Sequence, residues 1–121
     1  MADSSIQSVI LATGCYVPEL KVSNKDFLTH TFFEKDGSPI TKDTAKIVEK
    51  FKDITGIEER CYARPDQKAS DLGFLAAQNA LEGIDKESLD YIIVAHNFGD
   101  VAHNSNRVDI VPTLASRIKF L

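Results

Sequence analysis

Two continuous runs of apolar side chains stand far apart in this chain, one at residues 9–12 (Val-Ile-Leu-Ala) and one at residues 91–95 (Tyr-Ile-Ile-Val-Ala). An apolar run without polar alternation is typical of a β-strand that is covered on both faces. Helical patterns fill the sequence between the two runs, and strands that alternate with helices favour a parallel sheet. The chain is therefore predicted to have an α/β fold, with a mostly parallel sheet flanked by helices.

Capping residues and helical periodicity predict two helices in the first half of the chain. Ser23 or Asn24 can cap a short helix over residues 25–30, because their side-chain oxygens accept the free amide protons of a first turn. After a turn at residues 36–39 (Asp-Gly-Ser-Pro), a longer helix is predicted over residues 41–53. Its apolar positions follow helical spacing, and its lysines lie on the other faces.

The second half of the chain carries the clearest helical pattern. Apolar side chains recur at helical spacing after Ser70, and Gly83 is a plausible left-handed stop. Residues 85–89 predict a short turn that leads into the second apolar run. Pro112 suits the first turn of a last helix, and residues 59–63 predict a further strand.

Composition narrows the class of protein. The chain has 121 residues, of which 43% are hydrophobic, so it has room for one domain with a real core. Its formal charge is -4 and it contains no basic run, which argues against a nucleic-acid partner. Neither apolar run approaches the ~20 residues of a membrane span. We expect a cytoplasmic protein with no membrane association.

The longest polar stretch, residues 96–111, directly follows the second predicted strand. Ligands of open α/β sheets collect at this edge. His96, Asp100 and His103 could form a metal site, but their spacing matches no recognised metal motif and loops are ordinarily polar. No metal or other cofactor is therefore predicted.

Two other groups of reactive residues have a structural interpretation. Cys15 has no neighbouring base and no helix N-terminus to activate its thiol, and Cys61 lies in the predicted strand, so both are interpreted as packing residues. The adjacent carboxylates Glu58 and Glu59 would point to opposite faces of a strand and could not act on one substrate atom. Arg60 is predicted to pair with a carboxylate for structural reasons.

Four short runs in a fixed order resemble the opening part of the 3-oxoacyl-[acyl-carrier-protein] synthase III family, of the thiolase superfamily. The first two follow an Ile-x-x-x-Gly-x-Tyr-x-Pro pattern and an Asn-x-Asp-Phe pattern. Their matching positions are Ile10, Gly14, Tyr16, Pro18, Asn24, Asp26 and Phe27. The others are Thr-Gly-Ile-x-x-Arg at residues 55–60 and Gly-Phe-x-Ala-Ala-x-x-Ala-Leu at residues 73–81. The apolar run that ends at Ala95, Leu-Asp-Tyr-Ile-Ile-Val-Ala at residues 89–95, also resembles the family and follows them in the same order. The resemblance spans residues 9–121.

The resemblance implies a thiolase-like fold, an αβαβα sandwich of two similar halves, of which residues 1–121 would be the N-terminal part. It implies decarboxylative Claisen condensation of an acyl thioester with malonyl-acyl carrier protein, in fatty acid or polyketide-type biosynthesis. The family's cysteine forms a thioester with the acyl group, assisted by a His and an Asn. All three would lie beyond Leu121, so no catalytic residue is assigned in this chain and the chain alone is expected to be inactive. The implied partners are acyl carrier protein, the acyl thioester substrate and a second subunit in a homodimer.

Two departures from the family pattern concern the acyl group. The chain has no Trp, and Ile54 stands where an Arg usually precedes Thr-Gly-Ile. Both are expected where coenzyme A binds, so the donor is predicted to be an acyl carrier protein or an unusual thioester. Ile110, Val111 and Pro112 fall where the family's loop borders the acyl pocket and approaches the partner subunit. Ile110 and Val111 are smaller than the usual aromatic there and predict a deeper pocket.

Two alternatives fit the same motifs. The chain could be a non-catalytic module for dimerisation or carrier-protein binding. It could also belong to another synthase of the superfamily, of the hydroxymethylglutaryl-coenzyme A or quinolone type, because the first half carries the fold more than the chemistry. The stability of the isolated chain distinguishes an independent module from a fragment of a larger enzyme, since an incomplete sheet would expose a large apolar surface.

Overall fold

A computed structural model of the chain describes residues 8–121, which contain both helices and strands and are therefore α/β in general. They form two compact units. The first unit consists of residues 8–17 together with Pro65–Leu121, and the second is Pro18–Arg64. The second unit is thus one continuous segment inserted in the sequence of the first.

The second unit is built on an antiparallel strand pair. Strand β1 (Leu20–Ser23) pairs with β2 (Glu59–Tyr62), with Leu20 opposite Tyr62 and Ser23 opposite Glu59. The strand predicted around residues 59–63 is confirmed. Lys21 reaches diagonally across the pair to Glu59, with 3.0 Å between Nζ and Oε1, as cross-strand neighbours on one face do.

Both helices predicted in this unit are present. The first is a 3₁₀ helix over Asn24–Thr29 with Ser23 at its N-cap position. Helix α1 (Thr44–Thr55) begins three residues later than predicted, after Asp43 accepts a hydrogen bond from the Ala45 amide at 3.0 Å. The delay has a local cause, since the Ile40 amide donates to the Phe32 carbonyl at 2.8 Å and keeps the preceding residues extended. Gly56, with φ of 68°, ends the helix in the left-handed region.

The first unit contains two helices that pack against each other. Helix α2 (Ala69–Ala80) begins one residue before the predicted start, and α3 (Leu114–Phe120) begins at Leu114 with Thr113 as its cap. Pro112 therefore lies before the helix and not in its first turn, which corrects the prediction. A Cβ on Gly73 would lie 2.7 Å from Cδ1 of Ile118, so the absence of a side chain there allows α3 to approach α2.

The segment before Pro18 also approaches α2 closely. A Cβ placed on Gly14 would lie 2.6 Å from the Ala76 carbonyl oxygen and would meet the Ala80 nitrogen as well. The Cys15 amide donates to Oδ1 of Asn79 at 3.4 Å. Glycine at position 14 is thus required by the contact between two backbones.

The two predicted buried strands are not formed in this structure. Residues 9–12 and 91–95 are assigned to no strand, and most of their apolar side chains are exposed, with Ile93 at 92%. The strands of the first unit are instead β3 (Asp100–Val101) and β4 (Val108–Asp109), which form an antiparallel hairpin. Within residues 8–121, no parallel strand pair is present. The apolar pattern predicts strands that are covered on both faces, whereas most of these side chains are exposed in this structure.

Candidate functional site

The polar stretch after residue 95 folds around the β3–β4 hairpin, and its first residues organise the hairpin itself. Nδ1 of His96 accepts a hydrogen bond from the Gly99 amide at 2.9 Å. Asp100 pairs with Asp109 and Val101 pairs with Val108 across the hairpin. The stretch is therefore an ordered turn that brings Asp100 and Asp109 side by side.

Asp100 is the most deeply buried charged residue of the described chain, with 1% of its surface exposed. The Ser70 amide donates to its Oδ1 at 2.8 Å, and the Ser70 hydroxyl donates to its Oδ2 at 2.7 Å. Ser70 lies in the first turn of α2, where free amide protons and the helix dipole favour a negative charge. The Asp100 carboxylate of β3 thus caps α2 through Ser70, which lies thirty positions earlier in the chain.

Arg117 of α3 completes this arrangement. Its Nη1 lies 3.4 Å from Oδ2 of Asp100, and its Nη2 lies 3.6 Å from Oδ2 of Asp109. The same guanidinium donates from Nε to the Pro112 carbonyl at 3.0 Å and from Nη2 to the Val111 carbonyl at 3.3 Å. We call Ser70, Asp100, Asp109 and Arg117 the Asp100 cluster. It connects α2 to the hairpin through hydrogen bonds to a carboxylate and connects the hairpin to α3 through ion pairs.

The three residues predicted for the acyl pocket or the dimer contact lie beside this cluster. Ile110, Val111 and Pro112 connect β4 to α3, and Val111 and Pro112 are joined by a cis peptide bond. Ile110 is 77% exposed and Val111 is 83% exposed, whereas the carbonyls of Val111 and Pro112 are held by Arg117. The loop therefore has a fixed backbone and free apolar side chains.

Two of the three candidate metal ligands, His96 and Asp100, are engaged in other contacts. Both carboxylate oxygens of Asp100 face Ser70 and Arg117, and His96 accepts from the Gly99 amide. Among residues 8–121, no group of three or more His, Cys, Asp or Glu side chains is arranged to hold a metal ion.

The paired carboxylates of the second unit diverge, each toward its own lysine. Oε1 of Glu58 lies 2.6 Å from Nζ of Lys52, while Glu59 pairs with Lys21. The hydrogen bond and charge of Lys52 lower the pKa of Glu58, and Glu58 raises the pKa of Lys52 in turn. These are exposed ion pairs on a surface, and nothing in their arrangement directs both carboxylates at one point.

Arg60 has different partners from those predicted. Its Nη1 donates to Oδ1 of Asn24 at 2.8 Å, and its guanidinium lies 5.1 Å from the centre of the Phe27 ring. The side-chain amide of Asn24 in turn donates to the Ile57 carbonyl at 2.7 Å. An amide oxygen and an aromatic face thus replace the predicted carboxylate, and they join the 3₁₀ helix to β2.

Cys15 and Cys61 are both free and exposed, so the prediction that they are packing residues is wrong. A free exposed thiol without a neighbouring base has no arrangement for nucleophilic catalysis.

An open groove of about 800 Å³, lined by both polar and apolar residues, lies in the first unit. It runs between the second half of α2, residues 86–93 and α3, and its apolar lining includes Phe74, Leu81, Leu89, Tyr91, Ile93 and Ile118. Its volume falls within the roughly 300–1,000 Å³ of small-molecule sites. However, the lining also includes Tyr91, Ile92 and Ile93, which belong to the run that the sequence pattern predicts to be a buried strand.

The Asp100 cluster is not apparent from the sequence. Asp100 is a candidate metal ligand and Ser70 a helix start by sequence pattern, and no pattern assigns a role to Arg117. The capping of α2 by a residue of β3 has no local signature, because the two positions are far apart in sequence.

Comparisons with known proteins do not assign the chain to a family. No protein-family model matches it, and no solved structure matches it. Among residues 8–121, no helix has both the length and the apolar character that crossing a membrane requires. The function is therefore argued from the motifs and from the geometry of the described residues.

Proposed function

We propose that residues 1–121 are the N-terminal part of an acyltransferase similar to 3-oxoacyl-[acyl-carrier-protein] synthase III, with a thiolase-like fold. The parent enzyme would condense an acyl thioester with malonyl-acyl carrier protein and release carbon dioxide. The observation that carries the proposal is the fixed order of the four runs between Ile10 and Leu81. This part of the chain would build one side of the acyl site, and the reacting cysteine, His and Asn would follow it in sequence.

The exposed surface of the chain supports this proposal over that of an independent module. Ile10, Leu11, Tyr91 and Ile93 are among the large apolar side chains left exposed. Large apolar side chains exposed in this number are typical of a surface that another part of a protein covers. In the proposed fold, the two apolar runs become central strands once the remaining strands are added.

The same fold gives a role to Gly14 and to α2. In the structure Gly14 already lies against the backbone of α2, and small Ala76 and Ala80 face it. A helix with small side chains on one side can pack closely on a sheet. In the proposed fold, this close approach would allow a strand over residues 9–12 to pack against α2.

The donor of the acyl group is proposed to be an acyl carrier protein or an unusual thioester. The chain contains no Trp, and Ile54 is an exposed side chain near the end of α1 where a phosphate-binding Arg is expected. An apolar side chain at that position offers a coenzyme A phosphate neither charge nor hydrogen bonds.

The test uses the full open reading frame that contains these residues. A frame that continues past Leu121 and encodes a strand followed by a cysteine at a helix start is expected. The purified full-length protein should release carbon dioxide from malonyl-acyl carrier protein only when an acyl donor is present. Replacing that downstream cysteine by Ser should abolish the reaction, whereas the matched variants Cys15→Ser and Cys61→Ser should retain it. A stop codon directly after Leu121, or no condensation with any donor, would overturn the proposal.

A further inference from the structure

Residues 90–98 join the short 3₁₀ helix at Lys86–Ser88 to β3 without forming a helix or a strand. Tyr91, Ile92 and Ile93 of this segment line one wall of the groove. Among the hydrogen bonds of residues 8–121, one alone involves the segment, and it is the bond from the Gly99 amide to Nδ1 of His96 at 2.9 Å. The end of the groove wall is therefore tied to the hairpin through the His96 ring.

This contact defines the protonation state of the His96 ring. A backbone amide can only donate, so Nδ1 is the acceptor and carries no proton. The neutral ring then carries its proton on Nε2. A protonated imidazole has a donor at both nitrogens and would direct an N–H group at the N–H group of Gly99. The contact is thus compatible with the neutral ring only.

The ring has no charged partner in the described part of the chain. The titratable and charged side chains of the adjoining hairpin are Asp100, His103, Arg107 and Asp109. Both of these carboxylates face Arg117 of α3, and no ion pair among residues 8–121 includes His96. His96 is exposed, so its ring exchanges protons freely with water.

The other side of the contact is fixed by the hairpin. Gly99 has φ of 75°, and a Cβ placed on it would lie 3.1 Å from Cγ1 of Val108 and 3.2 Å from the carbonyl oxygen of Asp109. The next residue, Asp100, is held by the amide and hydroxyl of Ser70. Loss of the contact would therefore release the segment before Gly99 and leave the hairpin in place.

We infer that His96 is a pH-sensitive switch, whose neutral ring holds residues 90–98 against the hairpin and whose protonation releases them. Imidazole is the side chain whose charge ordinarily changes between about pH 5 and about pH 8. The closed turn accepts only the neutral ring, whereas the released segment accepts both forms. The closed turn is therefore favoured at the upper end of this range and is lost as the pH falls. Acidification thereby frees the groove wall that Tyr91, Ile92 and Ile93 form.

The experiment measures amide hydrogen exchange at Gly99 at about pH 8 and about pH 5, in the protein produced from its full open reading frame. Each rate is divided by the rate of the same amide in an unstructured chain at the same pH, because exchange itself slows in acid. The resulting protection of the Gly99 amide should fall by about three- to tenfold at the lower pH, as expected for the loss of one hydrogen bond. The protection of the Ser70 amide, which donates to the buried Asp100, should not change.

Two substitutions of His96 separate the acceptor from its titration. His96→Asn keeps an oxygen that accepts from an amide two or three positions along the chain but does not titrate, so Gly99 should stay protected at both pH values. His96→Ala removes the acceptor and should lose the protection at both. His103→Asn is the matched control, because His103 lies between β3 and β4 and has no hydrogen bond or ion pair with any of residues 8–121. It should keep the pH dependence of the original protein.

A second readout observes the ring directly. In protein labelled with ¹⁵N-histidine, the signals of His96 are those that disappear in His96→Asn. At about pH 8 they should show Nδ1 without a proton and Nε2 with one. The opposite tautomer would overturn the inference.

Three outcomes of the exchange experiment would also overturn it. They are a protection of Gly99 that does not depend on pH, an equal fall in His96→Asn, and a parallel fall at Ser70, which would indicate unfolding of the whole unit. None of these readouts involves acyl condensation, so the inference stands or falls independently of the proposed function.

Discussion

Donors from two helices converge on the carboxylate of Asp100. The Ser70 amide and hydroxyl approach from α2 and the Arg117 guanidinium approaches from α3, in a position where Asp100 is 1% exposed. A buried charge is tolerated when it is paired and fully hydrogen-bonded, and it becomes costly when a partner is lost. The stability of the first unit is therefore expected to depend on the contacts of the Asp100 cluster.

Asp100→Asn should destabilise the first unit by about 1–3 kcal/mol. The amide group can accept from the Ser70 amide, but its NH₂ would face the donors of Arg117 and the hydroxyl of Ser70. Asp109→Asn is the matched control, because Asp109 pairs with the same arginine but its side chain is 57% exposed. Its effect should lie within about 0.5 kcal/mol, as for other surface changes. Urea unfolding of both variants measures the difference, and equal effects would contradict the role of burial.

Asp26 offers a test by pH. Hydrogen bonds donated by the Ser23 hydroxyl and amide lower the pKa of Asp26 below its ordinary value of 3.8. A carboxylate with a lowered folded-state pKa contributes stability that is fully present above the ordinary pKa. That contribution is lost as the pH falls below 3.8 and through the folded-state pKa.

Ser23→Ala should raise the pKa of Asp26 only part of the way to its ordinary value, because the backbone amide at position 23 still donates to it. An NMR titration of side-chain carboxyl signals measures the change. Asp36, whose lowered pKa depends on Ser38, is an internal control that should not move. A shift of Asp36, or none of Asp26, would show that the hydroxyl is not the cause.

The position of a capping residue was predictable from sequence, but its contacts were not. Ser23, one of the two predicted capping residues, precedes the first helix, but its hydroxyl donates to Asp26 three positions later instead of accepting a first-turn amide proton. The roles of Asp100 and Arg117 depend on contacts with Ser70 and with loop carbonyls, which have no local pattern. Arg60 shows the same limit, since its partner Asn24 lies across a strand pair.

At the scale of elements, the presence of the helices was predictable but their ends were not, since α1 was predicted over residues 41–53 and spans Thr44–Thr55. Helix α1 is bounded by the Asp43 cap and by Gly56 in the left-handed region, and both are residues with a strong local preference. Strands were less predictable, because a strand needs a partner that the sequence does not name. β3 and β4 are two residues each and carry no recognisable alternation.

Asp43→Ala should destabilise α1 by about 1 kcal/mol, since the Ala45 amide would lose its acceptor. The matched control is Asp53→Ala at the other end of the same helix. An acidic residue near a helix C-terminus interacts unfavourably with the dipole, so this change should be neutral or slightly stabilising. Thermal unfolding followed by circular dichroism measures both variants, and equal losses would argue that capping is unimportant here.

For the whole molecule, the exposed apolar runs predict self-association of the isolated chain. Ile93 is 92% exposed and lies among other exposed apolar residues that line the groove, so Ile93→Glu should reduce concentration-dependent association and dye binding to apolar surface. Ile54→Glu is the control, because Ile54 is also exposed but lies on α1 outside the groove.

Light scattering over a range of concentrations measures this association. A chain that stays monomeric at all concentrations would contradict the prediction, and it would favour the independent module over the fragment of a synthase. Equal effects of the two variants would show that the association is not centred on the groove.

The antiparallel pairing of β1 with β2 places the two ends of the second unit next to each other, since Leu20 lies opposite Tyr62. A segment that leaves and re-enters a chain at neighbouring points can be removed, exchanged or lengthened with little demand on the sequence around it. The residues of the second unit can therefore change in sequence and length as one independent segment. In such a protein, variation in length is expected to accumulate inside the second unit and to spare the Asp100 cluster.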